Sequence, residues 1–296
     1  MRGQGSIELN PGKIGCALLA ALLLWASPLS RIAAQESLGS PPSKVERKNR
    51  APVSHEILRV KIPKPIEAKL KNGLTVLLIE DHRAPYINMQ LYLTGAGALF
   101  EPADLAGLAS TTAQMLREGT KTRTSLQIAE AVDRLGAAVD AGASFGSPDL
   151  VLSASGLRDN FDDWFDLAAD ILLNPSFPAD ELEKLKQRER IQLRQQRSAA
   201  NFLLNERFSR AVYGEHPAAI VSPTAESIDK LSRDALIKWH RERMVPQNAI
   251  LGVAGDIQSK DFIAKLEKRL AGWKTRDVKP VWPRSPMAAS ARKLFL

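Results

Sequence analysis

The sequence predicts an α+β domain, and three observations point to it. Ile87, Met89, Leu91 and Leu93 alternate with Asn88, Gln90 and Tyr92, which is the period of a half-buried strand. After Thr94-Gly95-Ala96-Gly97 the apolar spacing changes to that of a helix. Beyond that point strand-like and helix-like segments interleave irregularly with no fixed repeat, which favours α+β over a regular alternation. The 296 residues allow one large domain or two small ones, with ample sequence to bury a core.

Taken in order, the first clear strand is Leu74 to Glu80, entered through the turn signal Asn72-Gly73. Ile87 to Leu93 is the second. The segment from Pro102 to Glu118 spaces Leu105, Leu108, Ala109, Thr112, Met115 and Leu116 as one helical face and stops at Gly119. Ser125 to Leu135 is a second helix, closed by Gly136, and strands follow at Ala137 to Ala143 and Leu150 to Leu157. Asp159 to Leu173 is helical and ends at Asn174-Pro175. Pro178-Ala179-Asp180 opens a long charged helix running from Glu181 to Tyr213. Ser227 to Met244 holds one or two helices, Asn248 to Ala254 is an apolar strand, and Asp261 to Leu270 is the last helix.

The ends read differently. Residues 1–34 begin with Arg2 and Lys13, run through an apolar stretch from Ile14 to Trp25 and finish in Ile32-Ala33-Ala34, the pattern of a secretory signal peptide. That stretch is shorter than the roughly 20 residues a spanning helix needs. Lys13 stands where a lipid-attachment signal carries an apolar residue, and the apolar run follows Cys16 instead of preceding it. Cleavage after Ala34 removes the single cysteine, so the mature chain can form no disulfide and do no thiol chemistry. No later segment is apolar enough to span a bilayer, and the expected location is periplasmic or secreted. Residues 35–60, rich in Ser, Pro and Lys, read as a flexible leader.

The chain has a formal net charge of +8, unevenly placed: residues 76–180 hold six Lys/Arg against 15 Asp/Glu, and residues 181–210 hold eight against four. The basic run Lys184, Lys186, Arg188, Arg190, Arg194 and Arg197 reads as the solvated face of a helix, because Glu181, Glu183 and Glu189 lie among it. No nucleic-acid partner is expected. His55, His82, His216 and His240 have no second histidine or cysteine at metal-ligand spacing and read as surface or cap residues. A nucleophile elbow, a Walker loop and a dinucleotide fingerprint are all absent.

One motif does carry chemistry, by what has replaced it. Gly107-Leu108-Ala109-Ser110-Thr111-Thr112-Ala113-Gln114-Met115, followed by Gly119-Thr120, resembles the active-site helix of the insulinase, pitrilysin and mitochondrial processing peptidase family. There the helix reads G-L-A-H-x-x-E-H-M: two histidines four apart bind zinc, and the glutamate between them is the base on the metal-bound water. The likeness extends through Asn72-Gly73-Leu74, the turn from Gly97 to Glu101, the helix Ser125 to Gly136, Asn174-Pro175-Ser176-Phe177, Arg243-Met244-Val245-Pro246-Gln247-Asn248 and Val253-Ala254-Gly255-Asp256. It covers residues 61–275. The resemblance implies one lobe of the processing-peptidase fold, a mixed or antiparallel sheet packed against helices.

The zinc positions become Ser110, Ala113 and Gln114. Placing Arg188 to Gln195 on the family's E-R-x-x-x-x-x-E pattern puts Gln195 at the last ligand. Neutral Ser and Gln are weak zinc ligands and Ala is no base, so no zinc and no hydrolysis by the family mechanism are expected. The resemblance implies an inactive subunit that helps enclose peptide substrates for a zinc-bearing homologous peptidase. A stand-alone exported peptide-binding or structural protein stays open, as does a peptidase working by another mechanism. Residues 276–296 read as a linker, with Pro280-Val281-Trp282-Pro283, leading into the first strand of a missing second lobe. A lobe without its twin is expected to expose an apolar face.

Overall fold

In the computed structural model the described residues are 63–276 and 280–286. The expected signal peptide and leader, and the expected strand at the C-terminal end, lie outside them. Among the described residues six strands form one sheet: β1 (Ile66–Lys69), β2 (Thr75–Glu80), β3 (Tyr86–Thr94), β4 (Ala138–Ala143), β5 (Asp149–Leu157) and β6 (Ala249–Gly255). Their order is β1-β2-β6-β3-β5-β4. β2 and β6 run parallel and every other pair is antiparallel, so the sheet is mixed. The fold is α+β.

Eight α-helices accompany the sheet among these residues: α1 (Leu108–Met115), α2 (Ser125–Leu135), α3 (Phe161–Leu173), α4 (Ala179–Gln196), α5 (Ala200–Tyr213), α6 (Ala225–Lys230), α7 (Arg233–Arg243) and α8 (Ser259–Arg269). The alternation in β3 does what its period requires. Ile87, Met89, Leu91 and Leu93 are buried, joined from neighbouring strands by Val76, Leu78, Leu152, Ala154, Leu251 and Val253. Helices α1, α3 and α8 close that face with Ala113, Met115, Trp164, Ile171, Phe262 and Leu266. On the opposite face Tyr86, Asn88, Gln90 and Tyr92 stay exposed, so one side of the sheet is open.

Several expected elements need correction. β1 precedes the first strand the sequence predicts: with only four residues and a mostly exposed I-E-A-K sequence, it has no apolar period to reveal it. The helix expected from Pro102 begins instead at Leu108, because two 3₁₀ turns, Ala98–Phe100 and Ala103–Leu105, precede it. Gly107 takes a left-handed φ of 99° as the N-cap, a conformation that suits glycine. The single helix expected from Glu181 to Tyr213 is two. The chain turns at Arg197-Ser198-Ala199, where Ser198 Oγ donates to the Gln195 carbonyl at 2.7 Å and competes with continuation of the helix.

The V-A-G-D segment has a steric reason for its glycine. A Cβ at Gly255, whose φ is 146°, would stand 2.2 Å from the Tyr86 carbonyl oxygen, where β6 pairs with the start of β3. The basic run of α4 is only partly solvated. Lys184 pairs with Glu181 at 2.7 Å, but Lys186 is buried and donates to the carbonyls of Asp229 (3.2 Å) and Leu231 (3.1 Å) as well as to Glu183 (3.2 Å). Those carbonyls end α6, where a helix leaves acceptors unpaired and the dipole favours a cation. His240 also departs from a surface role: its Nε2 lies 2.7 Å from the Leu172 carbonyl, and burial holds its pKa below the ordinary value.

Candidate functional site

Helix α1 is positioned by its first turn. The N–H groups there have no partner within the helix, and a carboxylate is the natural acceptor for them. Glu101 fills that role from the preceding turn, taking the Gly107 N–H at 2.9 Å on one oxygen and the Ala109 N–H on the other. Burial raises its pKa to about 7, against the lowering effect of those two donors, and the nearby Glu189 raises it further. Thr112 Oγ1 donates to the Leu108 carbonyl at 2.7 Å, and Ser110 Oγ to the Gly107 carbonyl at 3.0 Å.

Ser110 and Gln114, one turn apart, share a face of α1. Ser110 is half-buried with its hydroxyl donated back to the helix, and Gln114 is exposed. Ala113 is fully buried and part of the core. The three positions are therefore side by side as the motif requires, while the chemistry at each is inert.

The fourth position is different. Gln195 is exposed near the end of α4. The α4 side chain that reaches α1 is Glu189, whose Oε1 accepts the Thr111 hydroxyl at 3.2 Å. Six residues separate Gln195 from Glu189, a rotation of about 240°, so the two point away from one another. Gln196, seven residues on, returns to within about 20° of the Glu189 face and is half-buried. The sequence alignment is thus displaced by one residue from the face that meets α1, and neutral glutamine stands at either position.

Sequence reasoning placed Glu101 in the turn before the helix and Glu189 on the solvated face of the long helix; the second is corrected here, since Glu189 turns inward to α1. A signal was available for Glu189: Leu182, Leu185 and Leu193 recur around it at helical spacing and are buried, so a carboxylate in that row had to face inward. Burial raises its pKa, with the Thr111 hydroxyl and Arg188 opposing, and its Oε2 is buried without a hydrogen-bond partner.

Zinc does not fit this donor set. Both oxygens of Glu101 are occupied by helix N–H groups, the Ser110 hydroxyl is spent on a backbone carbonyl, and Gln114 offers a neutral amide. Among the described residues no group of three or more His, Cys, Asp or Glu is placed to hold a metal. Zinc sites are built from imidazole, thiolate and carboxylate.

The comparisons with known proteins agree with this frame. The insulinase family, peptidase family M16, matches residues 75–220. This chain carries an insulinase-family domain. It is 28% identical over 204 residues to an uncharacterized zinc protease of Rickettsia bellii, covering 68% of this chain and 48% of that protein. It is 25% identical over 196 residues to the non-peptidase homolog YmxG of Helicobacter pylori, covering 66% and 45%. The chain spans about half the length of the curated relatives it matches. Among solved structures, the peptidase M16 inactive domain from Pseudomonas fluorescens superposes with a TM-score of 0.70 at 25% identity, covering 76% of this chain and 55% of that one. The periplasmic protease PqqL from Escherichia coli shares the fold, with a TM-score of 0.66 at 20% identity over 76% of this chain and 26% of that one. The insulinase-family proteins it resembles thus include some named as proteases and others named inactive or non-peptidase.

Proposed function

We propose that this domain is a pseudopeptidase, an insulinase-family lobe that binds or helps enclose peptides while a zinc-bearing homologous subunit cleaves them. The observation that carries the reading is the replacement of both histidines and the base on one intact helix: Ser110 and Gln114 flank a buried Ala113 on α1. A base must reach the attacking water and a metal must lower that water's pKa, and these side chains do neither. The inactive domain from Pseudomonas fluorescens and the non-peptidase homolog of Helicobacter pylori support the same reading.

The open face of the sheet suits a wall against which a peptide lies. Tyr86 and Tyr92 stand exposed on β3 with their hydroxyls bonded to Ser155 and Gln90, each at 2.8 Å. Aromatic rings with a polar tip give contact area without demanding one sequence. An exported location is part of the proposal, supported by the sequence of residues 1–34 and by the periplasmic PqqL neighbour. No helix among the described residues is long and apolar enough to cross a membrane.

Affinity purification of the tagged chain from its native host, with mass spectrometry of what accompanies it, tests the partner. Recovery of an insulinase-family protein bearing H-x-x-E-H supports the subunit role. Consistent absence of such a protein from repeated purifications overturns it and leaves the stand-alone peptide-binding protein.

A further inference from the structure

The stretch Pro280-Val281-Trp282-Pro283-Arg284-Ser285-Pro286, expected to be a linker, lies in part against the domain. It has neither helix nor strand. Its prolines recur every third residue, the repeat at which an extended proline-rich segment returns to the same side. Pro280 and Pro283 are half-buried, while Val281 between them is 84% exposed. Pro280 and Trp282 meet one short turn, Gly95 to Phe100, which lies between β3 and α1. Pro280 occupies the place where any other residue would carry its Cβ: a Cβ at Gly95, whose φ of 90° is left-handed, would stand 2.7 Å from the Pro280 Cγ. Trp282 sets its ring edge-on to that of Phe100, with centroids 5.3 Å apart and planes at 70°.

The rest of that turn is held from other sides. The Gly95 and Gly97 N–H groups donate to the Pro148 carbonyl at 2.9 and 3.1 Å, the Leu99 N–H to the Ser147 carbonyl at 3.1 Å, and Trp239 Nε1 to the Ala96 carbonyl at 3.2 Å. Phe100 is half-buried, and Glu101, the carboxylate that takes the Gly107 and Ala109 N–H groups, follows it directly. One 3₁₀ turn contains both, with the Phe100 N–H on the Gly97 carbonyl at 3.1 Å and the Glu101 N–H on the Ala98 carbonyl at 3.3 Å. A movement of Phe100 therefore carries Glu101 with it. We propose that residues 280–283 form a strap over the Gly95–Phe100 turn, and that its seating through Pro280 and Trp282 sets how firmly Glu101 holds the first turn of α1. Prolines lose little freedom on docking because their φ is already fixed, and edge-to-face rings attract beyond the area they bury. Neither zinc nor a bound peptide enters these contacts, so the strap stands apart from the pseudopeptidase reading.

Hydrogen–deuterium exchange of the purified chain, read by mass spectrometry of peptic fragments, tests it. In the double variant Pro280→Ser/Trp282→Ala, fragments spanning residues 97–111 are expected to exchange about fivefold faster than in the parent, the size that loss of an aromatic pair gives to a local opening. Fragments from β2 and α3 are expected to keep the parent's rates. Trp282→Phe, which keeps a ring for Phe100, should stay within about twofold of the parent over residues 97–111, and so should Val281→Ser, whose side chain faces water. Unchanged exchange over residues 97–111 in the double variant overturns the proposal. Equal acceleration across the whole domain overturns it too, because the segment is then a general stabiliser and no strap on α1. So does acceleration by Trp282→Phe or Val281→Ser that matches the double variant. Should the double variant lose its cooperative melt, Trp282→Ala alone carries the same expectation and the same reversals.

Discussion

Helices α1 and α5 come from the same domain and are built on opposite terms. Six of the eight residues of α1 are buried, and its three hydroxyls are spent on nearby backbone carbonyls or on Glu189. Only one of the 14 residues of α5 is buried, and Leu204, Phe208 and Val212 face water. One helix has been absorbed into the core where a catalytic site would be, and the other offers a surface that the domain itself does not use. The contrast teaches that the frame of α1 is packed tightly into the core, while apolar surface on α5 is left to water.

The largest test of that contrast is to put the base back. Ala113→Glu inserts a carboxylate into a fully buried position, and we expect it to destabilise the domain by about 3 kcal/mol or more, read as a fall in the urea midpoint. Gln114→Glu, on the exposed position beside it, should stay within about 0.5 kcal/mol of the parent. If both are silent, α1 is not locked into the core. Next in size, Leu116→Ala removes a fully buried side chain just beyond α1 and should cost about 3 kcal/mol. Phe208→Ala on α5 is expected within about 0.5 kcal/mol. Similar costs for the two would erase the distinction between the helices.

Lys186 sharpens the comparison from a third helix. Its buried ammonium holds the carbonyls of Asp229 and Leu231 at the end of α6. Lys186→Met keeps the apolar stem and removes the donors, for an expected loss of about 2 kcal/mol; an unchanged urea midpoint would mean that water replaces the donors.

A smaller effect is expected from pH at the α1 cap. The Glu101 carboxyl titrates near 7 in the folded domain, above its ordinary value of 4.5, because burial disfavours its charge. A raised folded pKa means that the folded state holds the proton more tightly than the unfolded chain. Its contribution to stability is therefore complete below about 4.5 and is lost as pH rises through about 7. Parallel denaturation curves for parent and Glu101→Gln across that window should show the parent losing stability relative to the variant as pH rises. The opposite slope would mean that the two helix N–H groups dominate over burial.

Much of this was legible in the sequence, for definite reasons. The strict alternation of β3 and the Ser125–Leu135 helix, with its Thr124 cap and left-handed Gly136, declare themselves through period and terminal residues. The family frame from Gly107 to Met115 was also readable, because motif spacing survives a change of side chain. What escaped depended on tertiary context. β1 is an edge strand with no apolar pattern; the break at Arg197-Ser198-Ala199 contains neither Gly nor Pro; and the inward turn of Lys186 is set by α6, far off in sequence. The choice between Gln195 and Gln196 was open to the motif itself, since its E-R pair set on Glu189-Arg190 leaves five residues before Gln196.

The central claim is that α1 carries a zinc-peptidase frame without the chemistry, and metal analysis joined to a cleavage assay on the purified chain tests it most directly. The account predicts zinc well below one equivalent after dialysis against zinc-containing buffer, and no cleavage of a mixed peptide library that a chelator can abolish. Stoichiometric zinc together with chelator-sensitive cleavage would contradict it.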